Sequence, residues 1–133
     1  MVNVRHLQAY KQNQITTTDS GTVLLLLYQG AIDSVNRATE HMALGNMAEK
    51  GTSILRANDI INQFLTSLDH QAGGEIAQNL ETLYHYMLEQ TLVANVKNDP
   101  EPLKLVARLL STLKEGWEVA IKEERKRSAR GAA

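Results

Sequence analysis

Apolar residues recur at steps of three and four along most of the chain, which is the spacing of one face of an α-helix. Four such stripes follow one another, and no segment shows the strict apolar–polar alternation of a strand. The stripes consist, in chain order, of Leu24, Leu27, Ala31, Val35, Ala38 and Met42; of Ile54, Ala57, Ile61, Phe64 and Leu68; of Ile76, Leu80, Leu83, Met87, Thr91 and Ala94; and of Leu103, Val106, Leu110, Leu113, Trp117 and Ala120.

Residues that favour helix ends separate these stripes. Asp19 is placed to cap the first helix, because its carboxylate can accept the free N–H groups two or three residues on. Residues 45–46 favour the end of that helix, residues 69–74 separate the second stripe from the third, and Asp99 with Pro100 begins the fourth. Long helices with short connections make antiparallel neighbours. The sequence therefore predicts an all-α, up-down-up-down four-helix bundle.

Both ends of the chain fall outside this scheme. The chain has 133 residues, the size of one domain, and we assign residues 1–133 to a single domain. Residues 1–18 are polar and predict a short N-terminal capping segment, in which Leu7 and Tyr10 are spaced to share one side of a helix. Residues 122–133 carry five basic and two acidic residues, and we expect a fraying helix end followed by disorder.

The first and third helices carry more apolar residues than one core face needs. Leu25, Tyr28 and Ile32 form a second stripe beside the first, and Tyr84 and Leu88 flank the third. Three things would cover this surplus: a broad core, the N-terminal segment or a partner. A partner helix would use such residues as anchors in an apolar groove. Of Tyr84 and Tyr86, helical geometry allows only one to face the core.

The composition indicates no catalytic chemistry and no cofactor. The chain has no Cys, which excludes disulfides, Cys-ligated zinc and thiol catalysis. No phosphate-binding, dinucleotide-binding or zinc-protease motif occurs. Glu81 and His85 are four residues apart, a spacing that suits a metal, but no second copy of this pair exists. We therefore expect an exposed ion pair and predict that the protein is not an enzyme.

The charge and hydropathy of the chain also limit the expected setting. The N-terminus lacks the apolar core of a secretory signal, and no apolar run approaches the ~20 residues of a membrane span. We expect a cytoplasmic protein without membrane insertion. The net charge is −1, which argues against a surface built for nucleic acid. The basic tail after Lys122 is the one feature that suits nucleic acid, and a solvated helix end explains it as well.

Several motifs together resemble one known family. The segments LLLLYQGAID, ANDIINQFLTSLD, GGEIAQNLETLYHYM and ANVKNDPEPL stand in the order and at the spacing of FliS, the flagellar secretion chaperone family. The opening HLQAYKQNQI is similar to the first segment of that family, with Leu7 and Tyr10 at its apolar positions, and Trp117 matches a Trp in the last helix. The resemblance covers about residues 5–121.

The resemblance implies a function. It implies a four-helix bundle that binds the C-terminal segment of flagellin, prevents its premature polymerisation, and delivers it to the type III export gate protein FlhA. It also implies that the N-terminal segment occupies part of the groove when cargo is absent. The residues that we predict to bind a partner or to form this lid are Leu7, Tyr10, Leu25, Tyr28, Ile32, Tyr84 and Leu88.

Alternatives to this prediction stay open at the level of sequence. One is a helical adaptor that binds another protein, including another flagellar regulator. A metal-dependent bundle enzyme and a nucleic-acid-binding protein are two more. An uncovered apolar groove also favours pairing of two copies, so a homodimer is one state that we expect in the absence of cargo.

Overall fold

A computed structural model describes residues 20–132 of the chain. These residues form four helices: α1 (Ser20–Leu44), α2 (Met47–Thr66), α3 (His70–Lys97) and α4 (Pro100–Ala132). No strand occurs among the described residues. The predicted cap Asp19 and the predicted lid residues Leu7 and Tyr10 lie outside them.

The four helices form an antiparallel bundle, as the sequence predicts. Each helix lies beside its neighbours in the chain, and α1 also packs on α4. Arg125, late in α4, contacts Thr22, at the start of α1. Lys50, at the start of α2, contacts Asn98, just after the end of α3. These contacts join the beginning of one helix to the end of its neighbour, which confirms the all-α four-helix bundle.

Local signals explain most helix ends. Gly45, with φ 75°, follows α1, and Asn98, with φ 52°, follows α3. Both helices therefore end in a left-handed residue. Pro100 is the first residue of α4, and the carboxylate of Asp99 accepts a hydrogen bond from the Glu101 N–H at 3.0 Å. The predicted ends at residues 45–46 and 99–100 are confirmed.

The connection between α2 and α3 is shorter than the sequence predicts. The sequence favours a turn over residues 69–74, but α3 already begins at His70. The carboxylate of Asp69 accepts hydrogen bonds from the N–H groups of Gln71 and Ala72, at 3.1 and 3.0 Å, and so starts the helix early. Gly74, with φ 51° and ψ −124°, then bends α3 inside its second turn.

The core consists largely of the predicted stripes, but Tyr28 and Ile32 of α1 also belong to it, Ala120 of the fourth stripe is exposed, and the third stripe changes phase. Ile76 is 69% exposed, although the sequence pattern assigns it to the core stripe of the third helix, and Ala77 and Tyr84 are buried instead. Ile76 on the one hand, and Ala77 and Tyr84 on the other, stand at helical spacing from Met87. The apolar pattern alone therefore does not show which of them faces the core. The fully buried side chains of larger size are Tyr28, Val35, Ile61, Met87, Thr91, Leu103, Val106 and Leu110.

The C-terminal stretch continues as helix. The sequence predicts fraying and disorder over residues 122–133, but α4 extends to Ala132, with every side chain from 122 to 131 exposed. Contacts with the start of α1 explain this continuation in part. Ile121 packs directly over Gly21, and Arg125 donates a hydrogen bond from Nη2 to the hydroxyl of Thr22 at 2.9 Å.

Candidate partner-binding surfaces

One aromatic residue from each helix meets at the end of the bundle where α1 begins. Tyr28 of α1 stacks on Phe64 of α2 with ring centroids 4.4 Å apart, and Tyr84 of α3 tilts against Phe64 at 5.4 Å. Trp117 of α4 joins them through a hydrogen bond to Tyr28. We call these four residues the aromatic cluster.

Hydrogen bonds connect the polar ends of this cluster. Trp117 donates from Nε1 to the hydroxyl of Tyr28 at 3.0 Å, and that hydroxyl is hydrogen-bonded to the hydroxyl of Tyr84. Burial raises the pKa of the Tyr28 hydroxyl, with its two hydrogen bonds acting in the opposite direction. Burial also raises the pKa of Tyr84 well above its usual range, and the bond to Tyr28 adds to that effect. Both hydroxyls therefore stay neutral, and their hydrogen bonds join α1, α3 and α4.

An apolar cleft of about 390 Å³ opens above the aromatic cluster. All four helices contribute to its walls, and α3 contributes the residues on both sides of Gly74. The apolar side chains that line it include Leu24, Phe64, Leu68, Ile76, Leu80 and Trp117. A concave apolar surface of this kind suits the side chain of a partner or of another part of the chain.

The residues that the sequence predicts to contact a partner lie at different depths. Tyr28 is 0% exposed, Tyr84 is 3% exposed and Ile32 is 8% exposed, so all three belong to the buried core of this conformation. Leu25 and Leu88 are half-buried. The core explanation therefore covers most of the apolar surplus on α1. Tyr84 also lines the cleft, which leaves its role in binding a prediction. Of the tyrosine pair, Tyr84 faces the core and Tyr86 the surface.

A second apolar surface lies along the seam between α2 and α3, and Leu88 is the one residue of it that the sequence predicts to contact a partner. Leu92 is 61% exposed and Val96 is 76% exposed, and both continue the row of Leu88 at four-residue spacing. Leu55 of α2 is 54% exposed. The four-residue spacing is visible in the sequence, but only the packed structure separates this row from the core stripe. We call Leu55, Leu88, Leu92 and Val96 the seam row.

Polar contacts close the seam beneath this row. The hydroxyl of Thr91 donates to the side-chain oxygen of Asn58 at 2.9 Å. Lys50 is only 6% exposed, and its amine donates to the backbone oxygen of Asn95 at 3.3 Å and to the side chain of Asn98 at 3.1 Å. Leu55 precedes Asn58 by three residues, and Leu92 follows Thr91, so the exposed leucines flank the contact between the helices.

The predicted pair of Glu81 and His85 is replaced by another. Glu81 Oε2 lies 2.7 Å from Nε2 of His70, at the start of the same helix. The bend at Gly74 brings His70 within reach, which helical spacing alone does not predict. Among the described residues, no three His, Asp or Glu side chains are grouped to hold a metal ion. None of the helices within 20–132 has the length and hydropathy of a membrane span.

Comparison with known proteins decides the family. A sequence model of the family described as flagellar protein FliS matches residues 3–124. The chain belongs to the FliS family. The flagellar secretion chaperone FliS of Vibrio cholerae is 34% identical over 116 residues, which cover 84% of this chain and 85% of that protein. The corresponding protein of Salmonella typhimurium is 33% identical over 122 residues, 88% of this chain and 90% of that protein.

A third relative is less similar in sequence. The flagellar secretion chaperone FliS of Bacillus subtilis is 29% identical over 118 residues, covering 89% of this chain and 87% of that protein. Each of these relatives spans nearly the same length as this FliS-family chain. The residues that the family model matches, 3–124, include the aromatic cluster, the lining of the cleft and the seam row.

Proposed function

We propose that this FliS-family protein is a cytoplasmic export chaperone that binds the C-terminal segment of flagellin, keeps it from polymerising, and delivers it to the export gate protein FlhA. Binding is stoichiometric and involves no catalysis. The observation that carries the proposal is the seam row, where Leu55, Leu92 and Val96 expose more than half of their surface on one side of the bundle. Three exposed aliphatic side chains beside one helix–helix contact suit a partner.

The chemistry of the seam row fits a segment that folds as it binds. Such a segment loses chain entropy on binding, so it needs a large apolar contact for useful affinity. Leu88, Leu92 and Val96 stand one helical turn apart, which matches the anchors of an amphipathic helix laid along α3. The cleft above the aromatic cluster offers a second apolar site to the same segment.

The proposal also assigns a role to residues 1–18, which precede α1. The described part of α1 begins at Ser20, and Leu24, one turn later, lines the cleft. Because an extended chain spans roughly 3.3 Å per residue, the segment 1–18 that precedes α1 has ample length to cover the cleft. We propose that Leu7 and Tyr10 occupy the cleft when cargo is absent and leave it when cargo binds.

Calorimetric titration with a flagellin C-terminal peptide tests the function. We expect binding with a negative heat-capacity change, because apolar surface is buried. Leu92→Asp weakens binding by about tenfold or more, because a carboxylate replaces an apolar anchor. Val119→Asp, which places the same charge at a 63% exposed position of α4, leaves binding unchanged.

Other results of the titration would contradict parts of this proposal. Absence of heat and of co-elution contradicts the flagellin proposal and favours an adaptor for another flagellar protein. Equal losses from Leu92→Asp and Val119→Asp would place the cargo outside the seam row. A chain without residues 1–18 binds more tightly than the full chain if those residues compete with cargo. Light scattering of the protein alone tests the homodimer that an uncovered seam row favours.

A further inference from the structure

The first turn of α3 is separated from the rest of the helix by one glycine. Asp69 caps this turn, and Gly74 ends it with φ 51° and ψ −124°, a backbone conformation outside the helical region. A residue with a side chain is disfavoured in the left-handed region, so glycine allows the bend here. Residues 69–73 therefore stand at an angle to the long helix that follows.

The contact between His70 and Glu81 exists because of this bend. In an uninterrupted helix, two residues eleven positions apart are separated by about 16 Å along the axis. The Nε2 and Oε2 atoms of this pair are 2.7 Å apart. The first turn is therefore folded back toward the body of α3, and the pair joins its two parts.

The same turn forms a wall of the apolar cleft. Ala72 and Gly73 line the cleft on the near side of Gly74, and Ile76 and Ala77 line it on the far side. A Cβ atom on Gly73 would lie 2.8 Å from the Cβ of Ala77, so only glycine allows the turn to lie this close. Trp117 lines the cleft from α4.

We propose that residues 69–73 are a hinged flap, which turns about Gly74, is latched by the His70–Glu81 pair, and controls entry of apolar side chains into the cleft. The proposal concerns access to the cleft and holds for any occupant, so it stands apart from the identity of the cargo. Opening the flap exposes Trp117 and the aromatic cluster beneath it. Closing the flap narrows the cleft.

The latch is tested with the full-length protein alone. Glu81→Gln removes the charge of the latch, and Glu89→Gln makes the same change at an exposed position of the same helix. An exposed ion pair is weak, so we expect Glu81→Gln to raise the open population about two- to fivefold. Amide hydrogen exchange of residues 69–77 reports this rise directly, and acrylamide quenching of Trp117, the single Trp of the chain, follows it.

The hinge is tested at Gly74. Gly74→Ala disfavours the bend, because a side chain is unfavourable at φ 51°, and so separates His70 from Glu81; we expect the quenching of Trp117 by acrylamide to rise about twofold as the cleft opens. Gly116→Ala is the control, because Gly116 lies in a regular part of α4 with open space around it. Adding Glu81→Gln to Gly74→Ala causes no further change if both act on one latch.

Several measurable outcomes would contradict the proposal of a hinged flap. Equal exchange in Glu81→Gln and Glu89→Gln contradicts the latch, and wild-type quenching of Trp117 in Gly74→Ala contradicts the hinge. Should Gly74→Ala fail to fold, the double variant His70→Cys/Glu81→Cys replaces it, since the chain has no other Cys. A short thiol crosslinker then holds the flap closed, and unchanged exchange and unchanged quenching of Trp117 after crosslinking would exclude a moving flap.

Discussion

Helices α1 and α3 lie at opposite corners of the bundle and are held in different ways. α1 packs closely on both α2 and α4, and several of its contact residues are small. Gly21 lies against Ile121, Gly30 lies against Ile60, and Ala31 and Ala38 are fully buried. Small residues let helix backbones approach each other, so α1 is the anchored member of the bundle.

α3 makes a less extensive contact with each neighbour. Its contact with α2 depends on Asn58, Thr91 and the amine of Lys50 as well as on apolar packing. Its outer face exposes Leu92 and Val96, and its first turn is set at an angle by Gly74. The difference indicates that α1 is the more firmly held helix, and α3 is the helix that we propose to adapt to a partner.

The largest expected effect separates a core tyrosine of α1 from a surface tyrosine of α3. Tyr28→Ala removes a fully buried ring that stacks on Phe64 and accepts a hydrogen bond from Trp117. We expect this change to lower the free energy of unfolding by about 3–5 kcal/mol. Tyr86 is 38% exposed. Its replacement by Ala changes the free energy of unfolding by about 0.5 kcal/mol. Urea unfolding followed by circular dichroism measures the free energy of unfolding of both variants. Similar losses of stability in the two would contradict the different roles that we assign to Tyr28 of α1 and Tyr86 of α3.

A smaller effect concerns the contact that holds the end of α3. Lys50→Met keeps most of the buried aliphatic part of the side chain, but it removes the amine that donates hydrogen bonds to Asn95 and Asn98. We expect the free energy of unfolding to fall by about 1 to about 2 kcal/mol, because the partners of the amine lose their hydrogen bonds. Amide exchange rises at the C-terminal end of α3 and stays unchanged in α1.

The control for this variant is an exposed lysine. Lys104→Met removes a surface pair with Glu101. It lowers the free energy of unfolding by at most about 1 kcal/mol. Equal loosening of α1 and α3 in Lys50→Met would show that the buried amine does not hold α3 specifically.

The extent to which the sequence predicts these two helices also differs. Periodic apolar residues and the Asp99–Pro100 signal are sufficient for the bundle, because helix faces and caps depend on local spacing. The depth of Tyr28 is not predictable in this way, since it depends on Phe64 and Trp117 from other helices. The bend at Gly74 depends on one backbone angle, and it changes the partner of Glu81.

The candidate partner-binding surfaces are likewise predictable only in their local spacing, and not in their orientation. Leu92 and Val96 stand at helical spacing in the sequence, but two phases of α3 have apolar residues at that spacing. The pattern assigns Ile76 to the core, yet it is exposed, while Ala77 is buried. Which phase faces inward is decided by packing against α2 and α4, and that information is not local.

The smallest expected effect tests how closely α1 approaches α4. Gly116→Ala adds a methyl group in open space on a helix. We expect a gain of about 0.5 to about 1 kcal/mol in the free energy of unfolding, because alanine favours the helix. Gly21→Ala has the same helical benefit, but its Cβ would lie 2.9 Å from the Cγ2 of Ile121, so the side chain must move and the gain is lost. Thermal unfolding of both variants measures the difference.

Either outcome of this comparison locates the rigid part of the bundle. Equal gains in Gly21→Ala and Gly116→Ala would show that Ile121 yields without cost and that the α1–α4 contact is looser than its geometry indicates. A gain confined to Gly116→Ala would place the rigid part of the bundle at α1, because the side chain of Ile121 then leaves no room over Gly21 for one added methyl group. It would leave α3 as the helix that adapts to a partner.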